Sequence, residues 1–135
     1  MKTIILFSTI FSILAATANL HSQTSEEYFN MGHSEYIAGN HEKAVEYYTA
    51  AIKLDPDNFR AYYNRGNAYA LGLRNYKAAV QDFTKAIEIN PELAESYCNR
   101  GLSYDKLKEY TKAISDYTKA IEINPNLVQA YNGRG

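Results

Sequence analysis

The sequence lacks tryptophan and contains only three prolines and one cysteine among its 135 residues. Because Cys98 is the only thiol, the chain can form neither an internal disulfide nor a cysteine zinc site. Neither sign of charge is in large excess, because the chain has 14 basic and 15 acidic residues and a formal net charge of −1. Such a balance gives no electrostatic drive towards polyanions. We therefore expect no nucleic-acid partner.

Tyrosine is the residue type that this short chain has in excess, with 13 copies. A hydrophobic content of 46% and a charged content of 21% fit a single soluble domain. The aromatic content also excludes low-complexity disorder, because such segments are poor in aromatic residues.

The first residues have the layout of a secretory signal peptide. Lys2 precedes an uncharged apolar run over residues 4–14, and small residues follow up to Ala18. We predict a signal peptide over residues 1–18, with cleavage as late as Ser22 as the fallback, a short linker over 19–24, and an exported protein. The run is shorter than the ~20 apolar residues of a membrane span, so no span is expected after cleavage. An uncleaved anchor or a buried N-terminal helix is the alternative.

A unit of about 34 residues repeats through the rest of the chain. Glycines, prolines and large aromatics each recur at intervals of 34 or 35 residues. These positions are Gly32, Gly66, Gly101 and Gly135; Pro56, Pro91 and Pro125; and Tyr48, Phe83 and Tyr117. A fixed period of this length is typical of stacked supersecondary units.

The spacing inside each unit is helical. In the third unit, apolar residues from Tyr110 to Ile121 recur every three or four positions, as on one face of a helix. A shorter helix with the same periodicity precedes it, from Tyr97 to Tyr104. Each unit is therefore predicted to be two helices joined by a short turn, closed by proline because the residue before proline resists helical geometry.

These columns resemble the tetratricopeptide repeat. Residues 25–58, 59–93 and 94–127 match as three full repeats, and 128–135 resembles the start of a truncated fourth. The resemblance implies an all-α fold, a right-handed superhelical α-solenoid of antiparallel helix pairs. Three departures concern the turns between helices: Glu35 in place of a tyrosine, one extra residue within 71–75, and Lys108 in place of a glycine.

No group of residues in the sequence predicts catalysis, a metal site or a cofactor. His33 and His41 are eight residues apart, which is not the i, i+4 spacing that lets two imidazoles share a metal on a helix. Cys98 has no histidine in its own repeat and is interpreted as a small packing residue. We therefore expect no enzyme activity and no cofactor.

Asparagines recur in the first helix of each repeat, and the family resemblance gives them a role. In some tetratricopeptide proteins an asparagine ladder at this column holds the main chain of an extended peptide in the concave groove. The resemblance implies the same hypothesis here for Asn30, Asn64 and Asn99, with Asn67 added to the ladder and Tyr36 and Tyr63 as apolar contacts. The alternative is that these amides only bond the backbone of a neighbouring repeat.

Some relatives grip acidic C-terminal peptides with basic residues along the same groove. The matching positions here hold Phe29, His33, Asn64, Glu95 and Asn99. Because lysine and arginine are missing there and Glu95 would repel a carboxylate, this function is not expected.

Two arginines lie on a packing face and are accompanied by aspartates in the second helices. Arg65 occurs with Asp82, and Arg100 with Asp116. The first repeat replaces both members, with Met31 and Tyr47 at these columns. We interpret the pairs as structural ion pairs.

The sequence predicts a non-catalytic scaffold that binds a protein or peptide partner through a concave groove. One alternative is a structural spacer or a self-association module without a peptide ligand, with the uncapped C-terminal repeat as the self-association surface. The other is a targeting module of a larger enzyme.

Overall fold

The computed structural model describes residues 22–135. The predicted signal peptide over residues 1–18 lies outside these residues, as do residues 19–21 of the predicted linker.

The described part of the chain is built from seven helices in succession, without a strand. They are α1 (Ser25–Ile37), α2 (His41–Leu54), α3 (Phe59–Asn67, continued by a π-helical turn over Ala68–Gly72), α4 (Tyr76–Ile89), α5 (Ala94–Lys106), α6 (Tyr110–Ile123) and α7 (Val128–Arg134). Successive helices pack in pairs, and each pair packs on the next. The predicted all-α solenoid of antiparallel helix pairs is confirmed.

Polar side chains fix where several helices begin. Thr24 and Glu27 form a capping box, in which the Thr24 hydroxyl accepts from the Glu27 N–H and the Glu27 carboxylate accepts from the Thr24 N–H. Asn58 and Asn75 accept in the same way from backbone N–H groups at the start of α3 and α4. Each cap satisfies a donor that the first helical turn leaves without a partner.

The core lies between the two helices of each pair, where a glycine faces an aromatic ring. A Cβ added to Gly66 would lie 2.8 Å from the Phe83 ring, and one added to Gly32 would lie 2.8 Å from the Tyr48 ring. Both rings are completely buried. The glycine column therefore sets how closely the paired helices approach.

The turns between paired helices contain the left-handed residue that the repeat requires. Gly39 takes φ 83° in the first repeat, while Arg74 and Lys108 take φ 53° and 63° in the second and third. Positive φ is unfavourable for side chains with a Cβ, so these two turns are strained in comparison with the first.

The departures at Glu35 and at residues 71–75 are accommodated locally. Glu35 accepts a hydrogen bond from Asn40 at 2.8 Å and pairs with Lys43 at 3.1 Å, and these contacts lower the pKa of its carboxyl. The extra residue of the second repeat is taken up by the π-helical turn, in which Leu73 donates to the Ala68 carbonyl five positions back.

Candidate functional site

A cleft of about 440 Å³ opens where the first helices of the second, third and fourth units lie side by side. The π-helical turn at the end of α3 contributes one residue, and α5 and α7 contribute most of the others. The lining residues carry no charge: Leu71, Cys98, Asn99, Leu102, Tyr117, Gln129, Asn132 and Gly133. The cleft thus combines apolar side chains with three amides.

Three of the six predicted binding residues meet beside this cleft. The Nδ2 of Asn99 donates to Oδ1 of Asn67 at 2.9 Å and to the Tyr63 hydroxyl at 3.2 Å. These bonds join α5 to α3, across the boundary between the third and second repeats. We call Tyr63, Asn67 and Asn99 the amide cluster.

Each residue of the amide cluster has a donor or an acceptor that makes no hydrogen bond within the described residues. Asn67 has an NH₂ group, Asn99 has a carbonyl oxygen and Tyr63 has a hydroxyl hydrogen, none of which is bonded within residues 22–135. All three residues are half-buried and reach solvent. The cluster therefore offers both donors and an acceptor to a ligand.

The other three predicted residues make no hydrogen bond to this cluster. Asn30 is exposed beside Met31 and Tyr28, and it lines a second cleft at the N-terminal end of the solenoid. Asn64 donates to the Arg60 carbonyl of its own helix at 2.8 Å. Tyr36 is half-buried, and its burial raises the pKa of its hydroxyl.

The positions where some relatives carry a basic clamp have another arrangement here. Phe29 is buried, with the Arg60 guanidinium 4.3 Å from its ring centroid and the His33 ring stacked 6.4 Å away. Arg60 also pairs with Glu26 at 3.6 Å. Arg60, a cation near this end of the groove, therefore already has an aromatic and an anionic partner.

The arginine and aspartate columns form bidentate ion pairs. Arg65 donates from Nε and Nη2 to the two Asp82 oxygens at 2.8 and 2.7 Å. Arg100 donates to Asp116 in the same way, at 2.7 Å for both bonds. The bonds to Asp116 raise the pKa of the Arg100 guanidinium, against the effect of its burial.

Sequence reasoning missed a third bond made by each of these arginines. Arg65 Nη1 donates to the Thr49 hydroxyl at 2.9 Å, and Arg100 Nη1 donates to the Thr84 hydroxyl at 3.1 Å. Both threonines lie in the second helix of the preceding repeat. The signal was present in the sequence, because the two threonines occupy equivalent positions 16 residues before the two arginines.

A group of side chains suited to metal binding is not assembled within the described part of the chain. No three His, Cys, Asp or Glu side chains come together there to hold a metal. Cys98 is buried, and burial raises the pKa of its thiol. A thiol with a raised pKa is a poor nucleophile at neutral pH.

Between residues 22 and 135, none of the helices has the length and apolar character needed to cross a bilayer.

Solved structures with the same architecture include two TPR domains and the protein MamA. The Arabidopsis OM64 TPR domain has 34% sequence identity and a TM-score of 0.79, covering 82% of this chain and 90% of that one. The first TPR of Spaghetti (RPAP3), bound to the HSP90 peptide SRMEEVD, has 27% identity and a TM-score of 0.80 over 84% and 89% of the two chains. MamA has 30% identity and a TM-score of 0.79 over 91% and 69%.

Sequence models of the repeat also match the chain. Models described as "Tetratricopeptide repeat" match residues 59–93 and 94–127, and one described as "TPR repeat" matches residues 32–72. A comparison with curated protein sequences finds no relative. With its stacked helix pairs, its glycine and aromatic columns and these matches, the chain belongs to the tetratricopeptide repeat family.

Proposed function

We propose that this protein is an interaction scaffold that holds an extended, uncharged segment of a partner protein along its concave face. The observation that carries the proposal is the amide cluster, in which Asn99 bonds Asn67 and Tyr63 across two repeats.

The chemistry of the cluster suits a main chain. A peptide group offers one N–H donor and one C=O acceptor. The free carbonyl of Asn99 can accept the N–H, while the free NH₂ of Asn67 can donate to the C=O. Because Asn99 is already held by two bonds, ligand binding costs little additional ordering of its side chain.

The charge of the groove favours a segment without acidic residues. The Spaghetti structure holds an acidic peptide. Here Phe29 and His33 stack on each other at one end of the groove, and exposed Glu95 lies in α5. A carboxylate close to Glu95 would be repelled.

Selection from a peptide library tests the proposal. The full chain is immobilised and presented with N-acetylated, C-amidated peptides, and the affinity of selected peptides is measured by fluorescence anisotropy. Asn67→Ala combined with Asn99→Ala should weaken binding by about tenfold, since each lost hydrogen bond contributes about 0.5–1.5 kcal/mol.

A matched control and an acidic probe sharpen this test. Asn30→Ala combined with Asn64→Ala removes the same two chemical groups outside the cluster, and it should change affinity by less than about twofold. The peptide SRMEEVD should bind no better than an unrelated peptide. Equal loss in both double variants, or preferred binding of SRMEEVD, would contradict the proposal.

Self-association is a second candidate function, and exposed apolar side chains favour it. Tyr110 and Ile114 of α6 are 57% and 51% exposed, whereas the equivalent Tyr76 and Val80 of α4 are half-buried. Ile114→Lys should then abolish any concentration-dependent increase in mass in sedimentation velocity, while Leu54→Lys, at an exposed site elsewhere, should not. A chain that is monomeric at all concentrations would exclude this candidate.

We also propose that the chain is exported through the predicted signal peptide. The support is the basic start, the apolar run over residues 4–14 and the small residues that end at Ala18. Expression in a secreting host followed by N-terminal sequencing should give a product that begins at residue 19, or at residue 23 if cleavage follows Ser22. Recovery of only the intact chain inside the cell would contradict the proposal.

A further inference from the structure

We infer that the cleft beside the amide cluster is a subsite for one aliphatic side chain of the bound segment, such as leucine, isoleucine or methionine. The inference rests on the proposed function and adds a specificity-determining contact to it.

The walls of the cleft are apolar and reach solvent. Leu71 and Leu102 are 61% and 38% exposed, on α3 and α5 respectively. Tyr117 and Cys98, which are 2% and 4% exposed, also line it. Exposed leucines that line the same cleft gain free energy when a ligand covers them, at about 25 cal/mol per Å².

The position of Leu71 is fixed by the π-helical turn. Leu73 donates to the Ala68 carbonyl at 3.0 Å, and Asn75 donates to the Tyr69 carbonyl at 2.8 Å. Gly72 packs so closely on His41 that an added Cβ would lie 2.2 Å from the imidazole. The backbone at Leu71 is thus held by the hydrogen bonds of the π-helical turn and by the packing of Gly72 on His41. π-Helical turns of this kind are frequent at functional sites.

Charge decides which side chain the cleft accepts. None of its lining residues is charged. Exposed Glu95 lies four positions before Asn99 and seven before Leu102, on the same helical face, and no ion-pair partner for it exists among residues 22–135. An acidic ligand side chain would therefore lose its hydration and meet like charge, whereas an aliphatic one meets only apolar surface.

The amide cluster and the cleft share one residue, which links the two contacts. Asn99 belongs to the amide cluster and also lines the cleft. A main chain bonded to Asn99 would place its next side chain at the cleft that Leu71 and Leu102 also line. In an extended segment, every second side chain points to the same side, so one side chain can enter the cleft while its neighbours point away.

Positional scanning with the full chain tests the inference. The probes are N-acetylated, C-amidated peptide pools in which one position is fixed at a time. Fixing leucine, isoleucine or methionine at one position should raise affinity at least about tenfold over aspartate or glutamate at that position. Leu71→Ser should remove this preference while the pools still bind. The matched control is Ile37→Ser, because Ile37 holds the equivalent place in the first repeat, is 73% exposed and does not line the cleft.

The possible results separate this inference from the proposed function. Binding that depends on Asn67 and Asn99 but shows no aliphatic preference would overturn the inference and leave the proposed function standing. Binding of no pool would overturn both. Loss of the preference in Ile37→Ser to the same degree as in Leu71→Ser would overturn the assignment to this cleft. Because Leu71 is exposed, its substitution should leave the melting temperature unchanged. Leu102→Ser supplies a second test at another lining residue of the cleft.

Discussion

Arg100 and Asp116 are joined by two parallel hydrogen bonds of 2.7 Å, and the remaining guanidinium nitrogen of Arg100 reaches back to Thr84 in the preceding repeat. One side chain thus ties together three helices. The same arrangement at Arg65, Asp82 and Thr49 makes it a repeated feature of the solenoid.

Breaking this ion pair should destabilise the protein more than removing it whole. Arg100→Met leaves Asp116, whose side chain is only 8% exposed, without its partner, and should lower the free energy of unfolding by about 2–3 kcal/mol. Adding Asp116→Tyr should recover part of this loss, because the first repeat already combines Met31 with Tyr47 at these positions. A double-mutant cycle in urea measures the coupling, and strictly additive effects would show that the pair is energetically unimportant.

The bond between repeats can be tested separately from the ion pair. Thr84→Val keeps the side-chain volume but removes the hydroxyl that accepts from Arg100, and it should cost about 0.5–1.5 kcal/mol. In the Arg100→Met background the same change should cost much less, since the donor is gone. Thr118→Val, at the equivalent position in α6, serves as the control. An equal cost in both backgrounds would show that the hydroxyl acts through another contact.

Tyr48→Phe should stabilise the protein. The Tyr48 hydroxyl is completely buried without a hydrogen-bond partner among the described residues, and the second repeat already carries Phe83 at this position. Removing an unpaired buried hydroxyl should raise the free energy of unfolding by about 1 kcal/mol. Chemical denaturation compares the variant with wild type, and a loss of stability would mean that the hydroxyl has a partner.

The same tyrosine should make stability fall at alkaline pH. Burial raises the pKa of Tyr48 to about 12, whereas an unfolded chain ionises near its ordinary value of about 10. Between these two values the native state binds more protons than the unfolded state, so the free energy of unfolding decreases as pH rises. Tyr48→Phe should reduce this slope without removing it, because burial also raises the pKa of Tyr117 to about 12. An unchanged slope in the double variant with Tyr117→Phe would contradict this assignment.

Lys108→Gly should stabilise the turn between α5 and α6. Lys108 has φ 63°, and the first repeat places Gly39 at the equivalent position with φ 83°. Relief of left-handed strain of about 1–2 kcal/mol outweighs the extra unfolded-state entropy of glycine, which costs about 0.5–1 kcal/mol. Lys119→Gly, inside α6, should instead destabilise by about 1 kcal/mol. A destabilised Lys108→Gly protein would show that the lysine side chain stabilises the turn.

Cys98 should resist alkylation in the native protein. The thiol is 4% exposed, and burial raises its pKa, so little reactive thiolate is present at pH 8. Iodoacetamide labelling followed by mass spectrometry should be slow without denaturant and fast in urea. In a Cys98→Ala background, Leu102→Cys offers an exposed thiol on the same cleft and should react quickly. Fast native labelling of Cys98 would indicate that α5 opens locally.

Which of the predicted residues meet at the candidate site depended on which side chains each helix face presents. Periodicity alone placed asparagines in the first helices, but it could not separate Asn64, which bonds its own helix, from Asn99, which bonds two residues of the preceding repeat. The place of Leu71 in the lining of the cleft was not predicted either, because one extra residue is accommodated by a π-helical turn that no local spacing predicts.

The amino-acid sequence was sufficient to predict the repeat period, the helix pairs, the family and the pairing of Arg65 with Asp82 and Arg100 with Asp116. These features follow from short-range periodicity and from columns that recur in each unit, so they can be read along the chain. The cluster of Asn67, Asn99 and Tyr63 and the charge-free cleft beside it were found only in the folded structure. The reason is physical: contacts between side chains 32 and 36 residues apart depend on how one repeat is rotated and shifted against the next, and that is set by packing of the whole helix pair.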